Sequence, residues 1–217
     1  MVCSMRKVKF TDGEFYHIYN RGTDKRKIFV DENDLERFLQ SLREFNNQKP
    51  IGSLFENSFR DKTKLGNPVT KLVDIVCYCL NPNHFHLILK QRIDGGLSEF
   101  MHRLGSGYTR FFNIKYKRSG VLFQGKFKAK HINSNNYLLR VGTYVNQNNL
   151  VHKIRGNFYR SSWLEYANKE ENLCAKSIIL DQFKNIIEFK EFSAVALKSI
   201  LENKKPDKEL EAILLEN

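Results

Sequence analysis

The most informative segment lies at residues 79–89 and reads Cys-Leu-Asn-Pro-Asn-His-Phe-His-Leu-Ile-Leu. The Asn-Pro-Asn at 81–83 is typical of a tight turn, and the apolar runs on both sides of it are typical of strands. Side chains two positions apart on a strand lie on one face, so His84 and His86 are predicted to project together beside the turn. Such a pair can hold one metal ion, although two buried histidines with other partners fit the same pattern.

The order of elements around this hairpin predicts the architecture. Strand, helix, strand, strand, helix and strand follow one another, which is the order of an α+β, ferredoxin-like antiparallel sheet with helices on one face. One domain over residues 1–165 and a C-terminal helical extension over 166–217 are predicted. The predicted strands are 15–20, 71–80, 84–90 and 121–131, the predicted helices are 32–46, 97–116 and 136–149, an irregular insertion covers 48–70, and two further helices follow residue 170.

The charge of the chain points to a polyanionic partner. The net charge is +12, with +14 on the first 165 residues and −2 on the remainder. A field of that sign favours nucleic acid or an anionic membrane surface, although positive charge also serves solubility alone. No run approaches the roughly 18 apolar residues that span a bilayer. The N-terminus has no apolar signal-peptide core, and four cysteines suit a reducing compartment. We therefore expect a cytoplasmic protein without a membrane partner.

Five segments taken together resemble one family. The segments are 16–22 (YHIYNRG), 79–87 (CLNPNHFHL), 108–113 (YTRFFN), 120–128 (GVLFQGKFK) and the helix at 137–149. In their order and spacing they are similar to the single-tyrosine HUH transposases, and most closely to the REP-associated tyrosine transposases with their IS200-like domain. The resemblance covers roughly residues 10–165.

The resemblance implies a reaction, a cofactor and a partner. Such enzymes cut single-stranded DNA beside a hairpin: a tyrosine attacks phosphorus, leaving a 5′-phosphotyrosine bond and a free 3′-hydroxyl, and a second 3′-hydroxyl later displaces the tyrosine. A divalent metal, Mg²⁺ or Mn²⁺, is held by the two histidines and by a polar residue of the tyrosine helix. Some relatives act as a homodimer and others act alone.

Tyr144 is the best candidate for the nucleophile. On one helix Tyr144 and Asn148 are four residues apart and share a face, so a single turn can deliver the nucleophile and a third metal ligand. An amide oxygen suits a hard cation. The resemblance places its nucleophile at the same position. Gln147 is the other candidate ligand, because many relatives carry glutamine one turn after the tyrosine.

Basic residues supply a predicted DNA surface. Rows of cations can follow phosphates, while Phe123, Phe127 or Tyr116 can stack on unpaired bases. A run of charge is also what an ordinary solvated face looks like. The predicted DNA-binding residues are Arg21, Lys25, Arg26, Arg110, Lys117, Arg118, Lys126 and Lys128.

Two other readings compete with the transposase. Cys77 and Cys79, placed across the turn from His84 and His86, would make a closed tetrahedral structural zinc site if all four groups faced one way. Alternatively, a non-catalytic nucleic-acid-binding protein could use the same fold, because fold alone does not establish function.

Overall fold

The predicted antiparallel sheet is present and has five strands. The computed structural model describes residues 8–59, 70–154, 156, 158–168 and 173–202. The strands lie in the order β4-β1-β3-β2-β5. The first four follow the ferredoxin-like order, so the predicted fold class is confirmed. The strands are β1 (Phe15–Arg21), β2 (Val73–Asn81), β3 (His84–Gln91), β4 (Lys128–Ile132) and β5 (Arg160–Ser161).

The hairpin turn lies where the sequence predicts, and it is one residue shorter than the predicted 81–83. Asn81 pairs with His84, which leaves Pro82 and Asn83 as a two-residue connection between β2 and β3. Backbone N–H groups of Ile28 and Phe29 donate to the carbonyl of Pro82 at 2.7 and 3.0 Å. The turn is therefore held from outside as well as by its own strands, and His84 begins a fixed strand rather than a loop.

Helices form where apolar residues recur at helical spacing. Asp31 caps the first long helix: its carboxylate accepts from the backbone N–H of Asp34 at 3.1 Å. A short helix lies inside the predicted irregular insertion, of which residues 60–69 lie outside the described residues. The helices are α1 (Glu32–Glu44), α2 (Leu54–Ser58), α3 (Gly96–Lys115), α4 (Asn135–Asn146), α5 (Asn148–Val151), α6 (Trp163–Asn168), α7 (Ser177–Leu180) and α8 (Ile186–Glu202).

Helices cover both faces of the sheet. Phe85 and His86 are neighbours on β3, so their side chains point to opposite faces. The ring of Phe38, from α1, packs on Phe85 with centroids 5.2 Å apart. The ring of Tyr144, from α4, packs on His86 at 5.6 Å. The helices α1 and α3, which contact one another, thus lie on the face that ferredoxin-like folds cover. The third long helix adds a layer on the other face, where the histidine pair projects.

The predicted strand at 121–131 is shorter than expected. Regular pairing begins only at Lys128, and before it Phe123 makes a single bridge with Gly22. Gly120 and Gly125 have φ of 82° and 73°, a left-handed conformation that does not continue a strand. The segment before Lys128 therefore arches over the end of β1 as a loop.

The predicted helix at 136–149 is interrupted at Gln147. That residue has φ −119° and ψ 22°, and a new short helix begins at Asn148. The side-chain oxygen of Asn146 accepts a 2.5 Å hydrogen bond from Ser162, whose oxygen accepts from the backbone N–H of Tyr78. This link fixes the end of α4 to β2. The expectation that Tyr144 and Asn148 share one continuous helix is therefore wrong.

The C-terminal helices pack on the sheet domain. Phe189 of α8 is 2% exposed and lies against Tyr166 and Trp163, with ring centroids 5.5 and 5.8 Å away. On α4, a Cβ at Gly142 would come within 2.9 Å of the Ile179 side chain, so α7 approaches that helix closely. The boundary drawn after residue 165 falls inside α6. Among the described residues, no helix is both long and apolar enough to cross a membrane.

Candidate active site

His84 is oriented by the turn that precedes it. Its Nδ1 lies 2.6 Å from the side-chain oxygen of Asn83, so Nδ1 carries the proton and donates. Its Nε2 lies 2.9 Å from the amide nitrogen of Asn81, which donates to it. The lone pair of Nε2 therefore points into the site. Burial, then the charge of neighbouring His152, lowers the pKa of His84 to about 4, so the ring is neutral near pH 7.

His86 is paired with a second buried histidine. Its Nδ1 lies 2.9 Å from Nε2 of His17, and the two rings are within 7° of parallel. Burial, followed by the charge of Lys130, lowers the pKa of His17 to about 3. Burial also lowers the pKa of His86. Both rings are therefore neutral, and one of them donates to the other. Sequence reasoning did not assign His17, because its contact with His86 depends on the register between β1 and β3.

Asn148 reaches the site although it lies beyond the break in the helix. Its side-chain oxygen is 3.3 Å from Nε2 of His84 and accepts from the amide nitrogen of Asn81 at 2.6 Å. The residue is fully buried. Gln147 instead occupies the junction between α4 and α5, where its backbone N–H bonds to Thr143. Of the two amides considered from sequence, Asn148 is thus the one whose oxygen lies beside His84.

His152 joins the two strand histidines. One ring nitrogen from each of His84, His86 and His152 lies within 4.8 Å of the others. The ring of His152 is half-buried and meets that of His84 edge-on, with centroids 4.8 Å apart. Burial lowers its pKa. Sequence reasoning missed this residue. The sequence pattern that could have indicated His152 is weak, because it is a single histidine eight positions after Tyr144.

Tyr144 lies against the histidines. Its ring meets those of His86 and His17 edge-on, at centroid distances of 5.6 and 6.3 Å. The side chain is 1% exposed, yet it forms part of the wall of a cavity of about 490 Å³. The phenol is thus buried among imidazoles at the edge of a cavity and not in purely apolar packing.

The cavity beside Tyr144 is electropositive. Among the residues that the structure describes, Arg21, Lys25 and Lys27 line it together with His84 and others, and none of these lining residues is an aspartate or glutamate. The guanidinium of Arg21 donates to the side-chain oxygen of Gln124 at 3.1 and 3.0 Å, which holds the cation at the rim. A phosphate entering this space meets fixed positive charge.

A second cleft lies beside α3. It has a volume of about 610 Å³, and its walls include Arg110, Lys126, Phe123 and Phe127. The two cavities share Asn20 and Phe85 in their walls. Aromatic rings and cations therefore stand together in a cleft that shares two wall residues with the first cavity.

The remaining predicted DNA-binding cations are scattered. Arg26 donates to the carbonyl of Thr23 at 3.0 Å. Arg118 donates to Asn113 at 2.6 Å and closes the turn after α3, where Lys117 is exposed. The ammonium of Lys128 lies 5.6 Å from the centre of the Tyr19 ring, on the histidine face of the sheet.

Alternation along the predicted strand 121–131 would place the lysines at 126, 128 and 130 on one face, but the structure does not form this row. Lys128 and Lys130 belong to β4, where they pair with Tyr19 and His17. Lys126 precedes the strand and borders the cleft beside α3. The reason is the late start of β4, since alternation holds only within a strand.

Comparison with known proteins finds one family that part of the chain resembles. Residues 69–148 match the model of the family described as "Transposase IS200 like". The matched segment is 80 of the 217 residues. The match includes His84, His86, Tyr144 and Asn148, and it ends before His152. No curated protein sequence matches the chain.

A solved structure shares the fold of this chain. It is described as "Structure of the REP associates tyrosine transposase bound to a REP hairpin". The TM-score is 0.51 and the sequence identity 11%, over 76% of this chain and 86% of that one. At that identity the likeness concerns the fold.

The site has donors that fit a divalent metal. Three neutral imidazoles supply nitrogen lone pairs, and the buried amide oxygen of Asn148 supplies a harder donor. The amide of Asn81 donates both to this oxygen and to His84, so it must turn away or rotate when an ion binds. His84, His86, His152 and Asn148 are the residues that can hold the metal.

The four groups of the alternative zinc site do not cluster. Cys79 lies opposite His86 across the hairpin, as that alternative required. Its thiol, however, contacts the Asn81 side chain at 3.5 Å, and burial raises its pKa to about 12. Within the described part of the chain, the His, Cys, Asp and Glu side chains that lie close enough to share one ion are the three histidines, and neither Cys77 nor Cys79 lies among them.

Proposed function

We propose that this protein is a transposase that acts as a metal-dependent nuclease and strand transferase. It nicks and rejoins single-stranded DNA next to hairpins through a covalent 5′-phosphotyrosine intermediate, with Tyr144 as the nucleophile. The observation that carries the proposal is the contact between the Tyr144 ring and His86 at the wall of a cavity whose described lining includes cations and no carboxylate. Phosphodiester chemistry requires such a combination of nucleophile, metal donors and positive field.

In the first step the phenolic oxygen of Tyr144 attacks phosphorus. The P–O3′ bond breaks, the phenol proton is lost, and the departing 3′-oxygen gains a proton to become a hydroxyl. Arg21, Lys25 and Lys27 hold the phosphate and offset its charge. When bound by His84, His86 and Asn148, Mg²⁺ or Mn²⁺ supplies Lewis-acid polarisation of the phosphate.

The second step reverses the first with another strand. A 3′-hydroxyl attacks the phosphotyrosine, the P–O bond to Tyr144 breaks, and the phenol regains its proton. The number of phosphodiester bonds is conserved over the two steps, so joining needs no external energy source. A wall that excludes water protects the covalent bond from hydrolysis, and the burial of Tyr144 serves this end.

The cleft beside α3 is the proposed path for unpaired DNA. Arg110 and Lys126 neutralise phosphates, while Phe123 and Phe127 offer rings on which bases can stack. Tyr116 does not serve here, because its hydroxyl donates to Asp34 at 2.8 Å. The structural neighbour is bound to a REP hairpin, and we extend a hairpin partner of that kind to this chain.

The experiment compares the wild type with Tyr144→Phe. Each protein is incubated with Mn²⁺ and a pool of single-stranded hairpin oligonucleotides labelled at either end. We expect the wild type to retain 3′-end label on a denaturing protein gel and to release 5′-labelled fragments with a free 3′-hydroxyl. Tyr144→Phe forms no adduct. Tyr137→Phe, on the same helix, is the matched control. An adduct that persists in Tyr144→Phe, or cleavage by the wild type without an adduct, refutes the proposed nucleophile.

A non-catalytic hairpin-binding protein is the second candidate. One observation favours it: the amide of Asn81 already bonds to both His84 and Asn148, which closes the site around its own polar groups. In that case the wild type binds hairpins in a mobility-shift assay but gives no adduct with Mn²⁺ or Mg²⁺.

A further inference from the structure

We infer that His152 completes a three-imidazole metal site with His84 and His86, and that the site takes a transition-metal ion such as Mn²⁺ or Co²⁺ in preference to Mg²⁺. The inference deepens the proposed function, since it concerns the ion at the same site. It adds a ligand from beyond the matched family segment, which ends at residue 148.

The break at Gln147 is what brings His152 into the site. The short helix α5 starts immediately after it, and the backbone N–H of His152 donates to the carbonyl of Asn148 at 3.0 Å, at the end of that helix. The imidazole thus lies one turn beyond Asn148 on the same short element. It meets His84 edge-on at 4.8 Å and lines the cavity together with Tyr144.

The separations are suited to a shared ion. The three donor nitrogens lie within 4.8 Å of one another. Nitrogens bound to one ion at about 2.1 Å are roughly 3 to 4 Å apart, so small side-chain rotations bring them together. His152 is half-buried, which leaves its ring room to turn. All three rings have a lowered pKa and are neutral near pH 7, as metal binding requires.

The donor types select the ion. Mg²⁺ prefers carboxylate and water oxygens and keeps much of its hydration shell. Imidazole nitrogen favours later first-row ions, in the order Mn²⁺ below Co²⁺. No carboxylate is among the described residues that line the cavity, and the amide oxygen of Asn148 lies beside the metal-facing Nε2 of His84. A site with three imidazoles and a single amide oxygen therefore discriminates against Mg²⁺, and removing one imidazole weakens that discrimination.

The test is metal binding by the metal-free full-length chain, measured by calorimetric titration with Mn²⁺, Co²⁺ and Mg²⁺ in turn. His152→Gln is compared with the wild type and with His102→Gln, the same substitution at an exposed histidine on α3. We expect His152→Gln to lose about tenfold or more in affinity for Mn²⁺ and Co²⁺ and little for Mg²⁺. Equal Mn²⁺ affinity in His152→Gln and wild type, or a wild type that binds Mg²⁺ as tightly as Mn²⁺, overturns the inference.

A second measurement avoids any effect of the substitution on folding. Pulsed electron paramagnetic resonance of Mn²⁺ in the ¹⁵N-histidine-labelled wild type counts the coordinated imidazoles. Three are expected, and two overturn the assignment of His152. These results are independent of the nucleophile, because Tyr144→Phe keeps the metal ligands. If the wild type forms no DNA adduct while His152 proves to be a ligand, the proposed reaction fails and the metal site stands.

Discussion

The contact between His17 and His86 makes a prediction about metal affinity. An ion bound at Nε2 of His86 requires the proton of that ring to be on Nδ1, and Nδ1 lies 2.9 Å from Nε2 of His17. His17 must then accept this hydrogen bond. This hydrogen bond would fix both the tautomer and the orientation of the His86 ring, as a hydrogen-bond acceptor on the far side of a metal-binding histidine generally does. We therefore expect His17→Leu, which is apolar and similar in volume, to weaken Mn²⁺ binding.

The magnitude follows from the burial of the pair. Both rings are almost fully buried, so no water replaces the lost acceptor. Loss of such a partner typically lowers metal affinity by about 10- to 100-fold, which is about 1.4 to 2.7 kcal/mol. The unpaired N–H of His86 costs about 1 to 3 kcal/mol of folding stability. Nδ1 of His17 has no hydrogen-bond partner within the described structure, and its removal offsets part of that cost.

Glutamine at this position supplies the control. In His17→Gln the side-chain oxygen can occupy the place of Nε2 and accept from His86, so we expect Mn²⁺ affinity within about threefold of wild type. Affinity is measured by calorimetric titration and stability by urea unfolding, with ¹⁵N spectra of labelled histidine to report the tautomer of His86. If His17→Leu binds Mn²⁺ as tightly as His17→Gln, or if the wild-type His86 carries its proton on Nε2, the reasoning is refuted.

Three further predictions concern pH, folding and cooperation between ligands. In the folded chain the pKa values of His17 and His84 are lowered to about 3 and about 4, whereas in the unfolded chain both histidines take up protons below about pH 6.5. We therefore expect the free energy of unfolding of the metal-free protein to fall as the pH falls from 6.5 towards 4, by up to about 1.4 kcal/mol per pH unit per histidine. Urea unfolding at several pH values checks this, and a flat profile contradicts it. The substitution Lys115→Met removes the ammonium that lies 2.7 Å from the fully buried carboxylate of Asp34, and we expect it to lower the free energy of unfolding by about 2 to 4 kcal/mol in thermal or urea unfolding. Lys49→Met, at an exposed position, is the control and should lower it by almost nothing. Equal losses in the two variants would contradict the role of the pair. The described residues of the cavity wall include cations and no carboxylate, so a bound phosphate should supply negative charge that favours the ion. We therefore expect the Mn²⁺ affinity to rise about tenfold or more when hairpin DNA is present. Calorimetry that shows no rise would exclude coupling between DNA binding and metal binding.

Local patterns predicted the elements that regular periodicity governs. The position of the hairpin turn within 81–83 and the strand and helix order follow from turn chemistry and alternation, which are properties of neighbouring residues. The predictions that were wrong extended such periodicity across a break. Gly125 ends the strand pattern before Lys128, and Gln147 interrupts the helix.

The candidate site was predicted only in part, for a related reason. His84, His86, Tyr144 and Asn148 were chosen from spacing and from the resemblance, and the structure brings all four together, although Asn148 lies on a separate short helix. His17, by contrast, has no local pattern that points to the site. It lies 69 positions from its partner in the chain, so only strand pairing reveals the contact.

The antiparallel hairpin, the basic character and the candidate residues for the proposed phosphoryl transfer can be read from the sequence, because they depend on composition and on residues close together in the chain. Which of these residues meet depends on the tertiary structure. The bond from Ser162 to Asn146 fixes the end of α4, the interruption at Gln147 turns Asn148 and His152 towards the strand histidines, and the pairing of β1 with β3 places His17 behind His86. Each of these depends on residues far apart in the chain, and it is packing of the whole domain that offsets the entropy of bringing them together.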